Sequence, residues 1–239
     1  MLKLIHAELY KIFHRAYFFV MTLCLAALCV AMIFALRGGS YGSWSGAAGL
    51  AVSMFSYPVV LLPMLTQIVF SEEFRDHTLK NTLSFGTNRA SLFLAKWFTA
   101  IILGVLLMAV VLAVYAGSAA LVLTKDPAFG SEMLRQFFTR LGAASAVYVA
   151  CISMSVFFIS FMKRSTLAIF LYYGVFYLTE LILMLFHLDK GVDYLLKTQL
   201  SRMMSVPLAQ LQTPVMVSLA TLAVFLVAGL AIFRKKDLC

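Results

Sequence analysis

Six apolar runs set the limits on what this chain can become: about 17–36, 47–70, 95–123, 140–162, 165–187 and 214–233. Each is long enough to cross roughly 30 Å of hydrocarbon at about 1.5 Å per residue. Inside a bilayer no water is available to backbone N–H and C=O groups, so only helices or a closed barrel can span it. The runs lack the alternating pattern of a barrel strand. The sequence therefore predicts an all-α integral membrane protein with six transmembrane helices. The runs fill most of the 239 residues, so 1–239 reads as a single transmembrane domain without room for a soluble catalytic domain. Composition agrees, at 63% hydrophobic and 12% charged residues with a mean hydropathy of +0.96.

Orientation follows from where Lys and Arg fall in the connections. The N-terminus, 71–96, 163–164 and the C-terminus together carry twelve, against seven in 37–46, 124–140 and 188–213. The first set is expected to be cytoplasmic, with both termini inside. The net charge of +9 is spread over membrane boundaries, which fits attraction to anionic lipid headgroups rather than nucleic acid. Cys24, Cys29 and Cys151 fall inside the runs and Cys239 is the last residue. Their spacing matches no metal site or disulfide framework, and they read as small apolar residues. A cleavable signal peptide is not expected, because the first run starts late, is about 20 residues long and lacks a small-x-small cleavage site.

Residues 1–16 form an amphipathic pattern. Leu2, Ile5, Leu9, Ile12, Phe13 and Ala16 share an arc of about 100°, with Lys3, Glu8, Lys11, His14 and Arg15 opposite. The expectation is an elbow helix lying in the membrane interface. The glycine-rich connection Arg37–Gly46 places Gly38, Gly42 and Gly46 four apart, continued by Ala47 and Ala51. Gly142, Ala146 and Ala150 repeat that spacing in the fourth run. Both read as faces for close helix packing in lipid, though loop flexibility explains Gly38 and Gly42 equally well. Pro58 and Pro63 each remove a helical hydrogen bond and should bend the second span unless neighbours compensate. The long connection 188–213 reads as one or two short helices with Leu195, Leu196 and Leu200 on one side.

The longest charged interval is Ser71–Lys96. Phe74, Leu79 and Leu83 lie at helical spacing, and Gly86 ends the pattern before Asn88 and Arg89. Two readings stand: a solvated loop, or a docking helix for a soluble partner. Glu180 is the acidic residue well inside a run, about 11 Å from its far end at 1.5 Å per residue. No basic residue is expected at its depth, with Arg37 and Arg140 nearer the boundary. It either lines a translocation path or makes a structural hydrogen bond to a neighbouring helix.

Catalytic patterns are missing. The chain has no G-x-x-x-x-G-K-[ST] phosphate loop, no H-E-x-x-H and no G-x-S-x-G. Its four histidines are scattered at 6, 14, 77 and 187.

The order of these features resembles the membrane (permease) subunit of bacterial type-2 ABC transporters, the six-span exporter kind. The N-terminal L-x-x-x-E-L-x-K is carried by Leu4, Glu8, Leu9 and Lys11. After the second run comes an E-x-x-x-G-T-L-K-like segment, here Glu73, His77, Thr78, Leu79 and Lys80. Leu83, Ser84, Arg89, Ala95 and Lys96 follow. His77 stands where the family usually has Gly, and Gly86-Thr87 replaces a proline-containing turn. A longer connection before the last span completes the likeness. The resemblance implies a coupling segment at 71–94, with Glu72, Glu73, Arg75, Asp76, His77, Thr78, Leu79 and Lys80 contacting a cytoplasmic ABC ATPase. That partner would carry ATP and magnesium, and this chain would bind no cofactor or metal. The other implied partners are a second copy or sister permease, and membrane lipids. The implied setting is the bacterial cytoplasmic membrane and the implied cargo a peptide, antibiotic or other amphiphile. A non-transporting membrane scaffold or immunity protein is the alternative.

Overall fold

The computed structural model describes residues 1–39, 41–75, 88–127, 129–162 and 164–235. Among these residues there is no β-strand, only an isolated bridge between Ser43 and Thr124. A helix over Leu2–Phe13, where the elbow is expected, precedes six helices long and apolar enough to cross a membrane. They are Ala16–Leu36, Trp44–Phe70, Arg89–Val122, Ser131–Phe161, Ser165–Leu185 and Leu208–Arg234.

The second and third spans start earlier than hydropathy alone places them, each at a capping side chain. The Ser43 side chain accepts from the Gly46 N–H, and the Asn88 side chain accepts from the Ala90 N–H at 3.0 Å. Each satisfies a donor that the first helical turn leaves open. The third span runs 34 residues from Arg89, far more than a bilayer needs. Its first two turns therefore extend beyond the apolar run at the elbow end.

The fourth span is the axis of the bundle. In its apolar window 72% of residues are buried, against 17% in the first span, 17% in the fifth and 11% in the sixth. The sixth span lies along the fourth, the second packs on the third and fourth, and the first rests on the third. Close packing on the fourth span uses Ala143, Ala144, Val147, Ala150 and Cys151, all buried. Of the predicted small-residue track, Gly142 is exposed and meets nothing, so only Ala150 serves. Gly38, Gly42 and Gly46 do not form one helical track either, since the first span ends at Leu36, the next helix starts at Trp44, and Gly38 and Gly42 lie outside both. Gly46 is needed for a different reason: a Cβ there would stand 2.8 Å from the Tyr41 Cα.

The two prolines of the second span are accommodated in distinct ways. Pro58 cannot donate to the carbonyl four residues back, and the backbone just before it tightens into a 3₁₀ turn over Val52–Phe55. Pro63 lies inside the helix Ser56–Arg75 and frees the Val59 carbonyl. The fifth span supplies the missing donor: the Tyr172 hydroxyl donates to Val59 O at 3.2 Å, and Tyr173 donates to Val60 O at 2.5 Å. The neighbour thus restores in hydrocarbon what proline removed. Replacing Tyr172 by Phe should leave that carbonyl unpaired and lower the thermal midpoint by a few degrees, about 1–3 kcal/mol for an unsatisfied buried acceptor.

At the end opposite the elbow, the connections between spans one and two and between three and four are stapled together. Trp44 N–H donates to Thr124 O at 3.0 Å, and the Trp44 indole donates to Leu123 O at 3.2 Å. Both the backbone N–H and the hydroxyl of Ser45 donate to Asp126. That hydroxyl holds the Asp126 carboxyl below its usual range. The connection 188–213 forms the short helices Asp189–Val192 and Leu196–Arg202, then a 3₁₀ turn, Leu208–Gln210. Leu196, Leu200 and Met203 are buried, so the second helix folds inward against the bundle. Arg140, at the start of the fourth span, ties this connection down by donating to Met203 O at 2.5 Å and Val206 O at 2.9 Å.

Candidate functional site

The elbow end holds a buried charge pair. Lys96 is 0% exposed in a bundle whose interior is mostly apolar. Its ammonium donates to Glu8 Oε2 at 3.0 Å and to the Val69 carbonyl at 2.8 Å, and lies 5.7 Å from the centre of the Phe70 ring. Glu8 also accepts from Lys11 at 3.1 Å, one turn along the elbow helix. Three elements meet here: the elbow helix, the last buried turn of the second span and the root of the third. The sequence puts Glu8 on the polar arc of the elbow helix. The structure instead buries it beside Ile12, while Leu2 is 83% exposed. A carboxylate can be buried when a cation waits for it inside, and hydropathy assigned residue by residue cannot register that.

A band of polar contacts lies next to this pair, toward the bundle centre. Thr66 and Ser155 share a hydrogen bond at 2.7 Å, Gln67 donates to Ser165 at 3.2 Å, and the Trp97 indole donates to Ser153 at 3.0 Å. These bonds cross-link spans two, three, four and five close to the end from which the connection after Phe70 departs.

Of the residues expected to couple, Glu72, Glu73 and Arg75 stand on the last turns of the helix Ser56–Arg75. Asp76, His77, Thr78, Leu79 and Lys80 lie outside the described residues, and with them the expected coupling helix.

Glu180 has a partner that the sequence reading lacks. Lys197, on the inward-folded helix Leu196–Arg202, donates to its carboxylate and sits 5.2 Å from the Tyr177 ring centre. The expectation that no basic residue reaches this depth is therefore corrected. Arg140 is not the partner, being committed to backbone carbonyls. Two features bring the pair together. The fifth helix ends at Leu185, so Glu180 is only about 8 Å from its end at 1.5 Å per residue. A π-helical turn over Gly174–Leu178 immediately precedes it and rotates Thr179–Leu185 relative to Ser165–Tyr173.

Among the described residues, no group of His, Cys, Asp and Glu could hold a metal ion. What the arrangement offers is mechanical: a polar joint at one end and a charge clasp at the other.

The model of the ABC-2 family transporter proteins matches residues 4–179. The chain belongs to that family. It is a multi-pass permease subunit of an ABC transporter, a transport component in a family generally without an ATPase site of its own. A comparison with curated proteins finds no match. The matched region takes in most of the elbow helix, the joint around Lys96 and the fifth span as far as Thr179, and ends one residue before Glu180. The clasp partner Lys197 and the sixth span lie beyond it. The elbow motif and the A-K motif each contain one half of the Glu8–Lys96 pair, so the signal for the joint was present. Their separation by 88 positions hid that they meet.

Proposed function

We propose that this chain is the permease of a bacterial ATP-driven exporter. It works with a separate cytoplasmic ATPase and with a second copy of itself or a sister permease. The cargo class is a peptide, antibiotic or other amphiphile. The carrying observation is the buried Lys96 joint, which braces the elbow helix against the roots of spans two and three. The 71–87 connection leaves from that braced point. A push on this connection from an ATPase therefore acts on three elements at once. Closure of the ATPase pair around ATP would move the spans as units, a switch between two packings rather than chemistry in this chain. ATP and magnesium sit on the partner.

The reading has a direct test. Glu73→Lys with Asp76→Lys should insert normally yet capture far less of a co-expressed, phosphate-loop-bearing ATPase than the native chain captures. Equal capture by the two chains would reduce 71–94 to a plain connection.

The proposed orientation puts both termini in the cytoplasm. Cys239 should react with a membrane-impermeant maleimide only after the membrane is opened. Labelling in intact cells would place the elbow end outside and remove the ATPase contact.

A further inference from the structure

A cavity of about 210 Å³ lies between spans two, three and four, at the end opposite the elbow. Its floor is Ala47, Ala51, Tyr115 and Ala119, all buried, while Ala116 and Ala120 on its rim are exposed. It therefore opens sideways, where lipid surrounds the bundle.

The lining has polar atoms, but they are turned elsewhere. The Tyr115 hydroxyl donates to the Ala47 carbonyl at 3.0 Å, and the Trp44 indole donates to Leu123 O. Apolar cavities of this kind stay dry and take up apolar guests. The stapled connections of Ser43–Ser45 with Thr124–Asp126 border the cavity at its end opposite the elbow. At this mouth the exposed Lys125 holds its ammonium 5.7 Å from the Trp44 ring centre. The nearby carboxylate of Asp126 is occupied by Ser45, and Glu132 lies 3.9 Å from Arg135. Lys125 is thus the charge at the mouth that no carboxylate claims among the described contacts.

We propose that this cavity binds one acyl chain of a phospholipid, with the lipid phosphate at Lys125. On the orientation proposed above, the lipid belongs to the outer leaflet. Small side chains leave the space, the apolar floor selects hydrocarbon over water, and the lysine selects a headgroup phosphate. The alanines line one wall each from the second and third spans, so a guest chain fills a gap that no side chain of this protein reaches. The inference does not depend on the ATPase partner or the cargo.

Tryptophan fluorescence tests it. The chain has two tryptophans, and Trp97→Phe leaves Trp44, on the cavity wall, as the sole reporter. In the purified chain in detergent, titration with phosphatidylglycerol dibrominated on its acyl chains should quench Trp44 along a saturable curve. Dibrominated phosphatidylcholine should need about threefold more lipid for half-quenching. Ala116→Leu with Ala120→Leu, grown inward from exposed rim positions, should at least halve the quenching. Lys125→Ala should abolish the preference between the two lipids while quenching persists. A non-saturating curve left unchanged by the two leucines would mean ordinary surrounding lipid and overturn the site. Absence of quenching in a correctly folded, monodisperse chain would mean that protein, such as a second copy, fills the cavity. That result would overturn it equally.

Discussion

Lys96→Met should lower the thermal midpoint of the purified protein by about 10 °C or more. The reasoning is that of a half-removed buried ion pair. Lys96 is fully buried and bonded to Glu8 and the Val69 carbonyl. Removing the lysine leaves the buried Glu8 carboxylate with only the half-exposed Lys11 as counter-ion, and such losses run to ~3–5 kcal/mol. At this chain length each kcal/mol moves the midpoint by roughly 2–4 °C. Glu8→Gln should cost less, because its amide oxygen still accepts from Lys96 and no unpaired anion is left. The double variant, Glu8→Leu with Lys96→Met, should recover most of the loss, since apolar replacement of both partners is often close to neutral. With the single variant Glu8→Leu added, Lys96→Met and the double variant make a cycle whose interaction energy isolates the pair. The measurement is the temperature at which half the protein stays monodisperse in a fixed detergent. A midpoint within about 2 °C of native for Lys96→Met would show the pair to be dispensable. If the double variant regains its midpoint but captures the ATPase poorly, the charges serve coupling beyond holding the helices together.

The transmembrane architecture was legible because one term dominates it: roughly 20 apolar residues per crossing have no other stable arrangement in lipid. Contacts between distant side chains were less legible, and for a physical reason. Pro63 announces a freed carbonyl, but nothing near it in sequence says that Tyr172, 113 positions from Val59, supplies the donor. Glu8 looked solvent-facing because a helical wheel reads each residue against water and lipid alone. Its burial depends on Lys96, a cation that hydropathy assigns to the end of a span. The small-residue faces failed differently. A four-residue spacing is common by composition in an alanine- and glycine-rich chain, and on the fourth span the packed side is set by Ala143, Ala144 and Val147 instead. The depth of Glu180 was overestimated because the run of apolar letters continues past the helix end at Leu185. His187, with its φ of 53°, already belongs to the reversal that follows. That reversal lets 188–213 turn back toward the bundle and carry Lys197 to Glu180.

Reversing Glu180 should unlatch that connection. Glu180 and Lys197 are partly shielded, with side chains 21% and 35% exposed. Their attraction alone is worth no more than about 1 kcal/mol at such exposure. Glu180→Lys removes this attraction and sets two ammonium groups against each other beside Tyr177, a penalty of similar size again. Together that is up to about 2 kcal/mol, or roughly thirtyfold in the local opening equilibrium at about 1.4 kcal/mol per factor of ten. Amide hydrogen exchange of Leu196–Arg202 should accelerate accordingly. Exchange in the fourth span, which the clasp does not touch, should stay at the native rate. Adding Lys197→Glu restores the pair with its sign inverted and should return the exchange most of the way. Glu180→Gln separates two roles, because the amide still accepts a hydrogen bond from Lys197 but carries no charge. If Gln leaves exchange native and export falls, the charge meets cargo. If Gln is silent in both and only Lys or Ala loosens the helix, Glu180 is a latch for the connection. Unchanged exchange in Glu180→Lys would show that Arg140 and the buried leucines hold the connection without it.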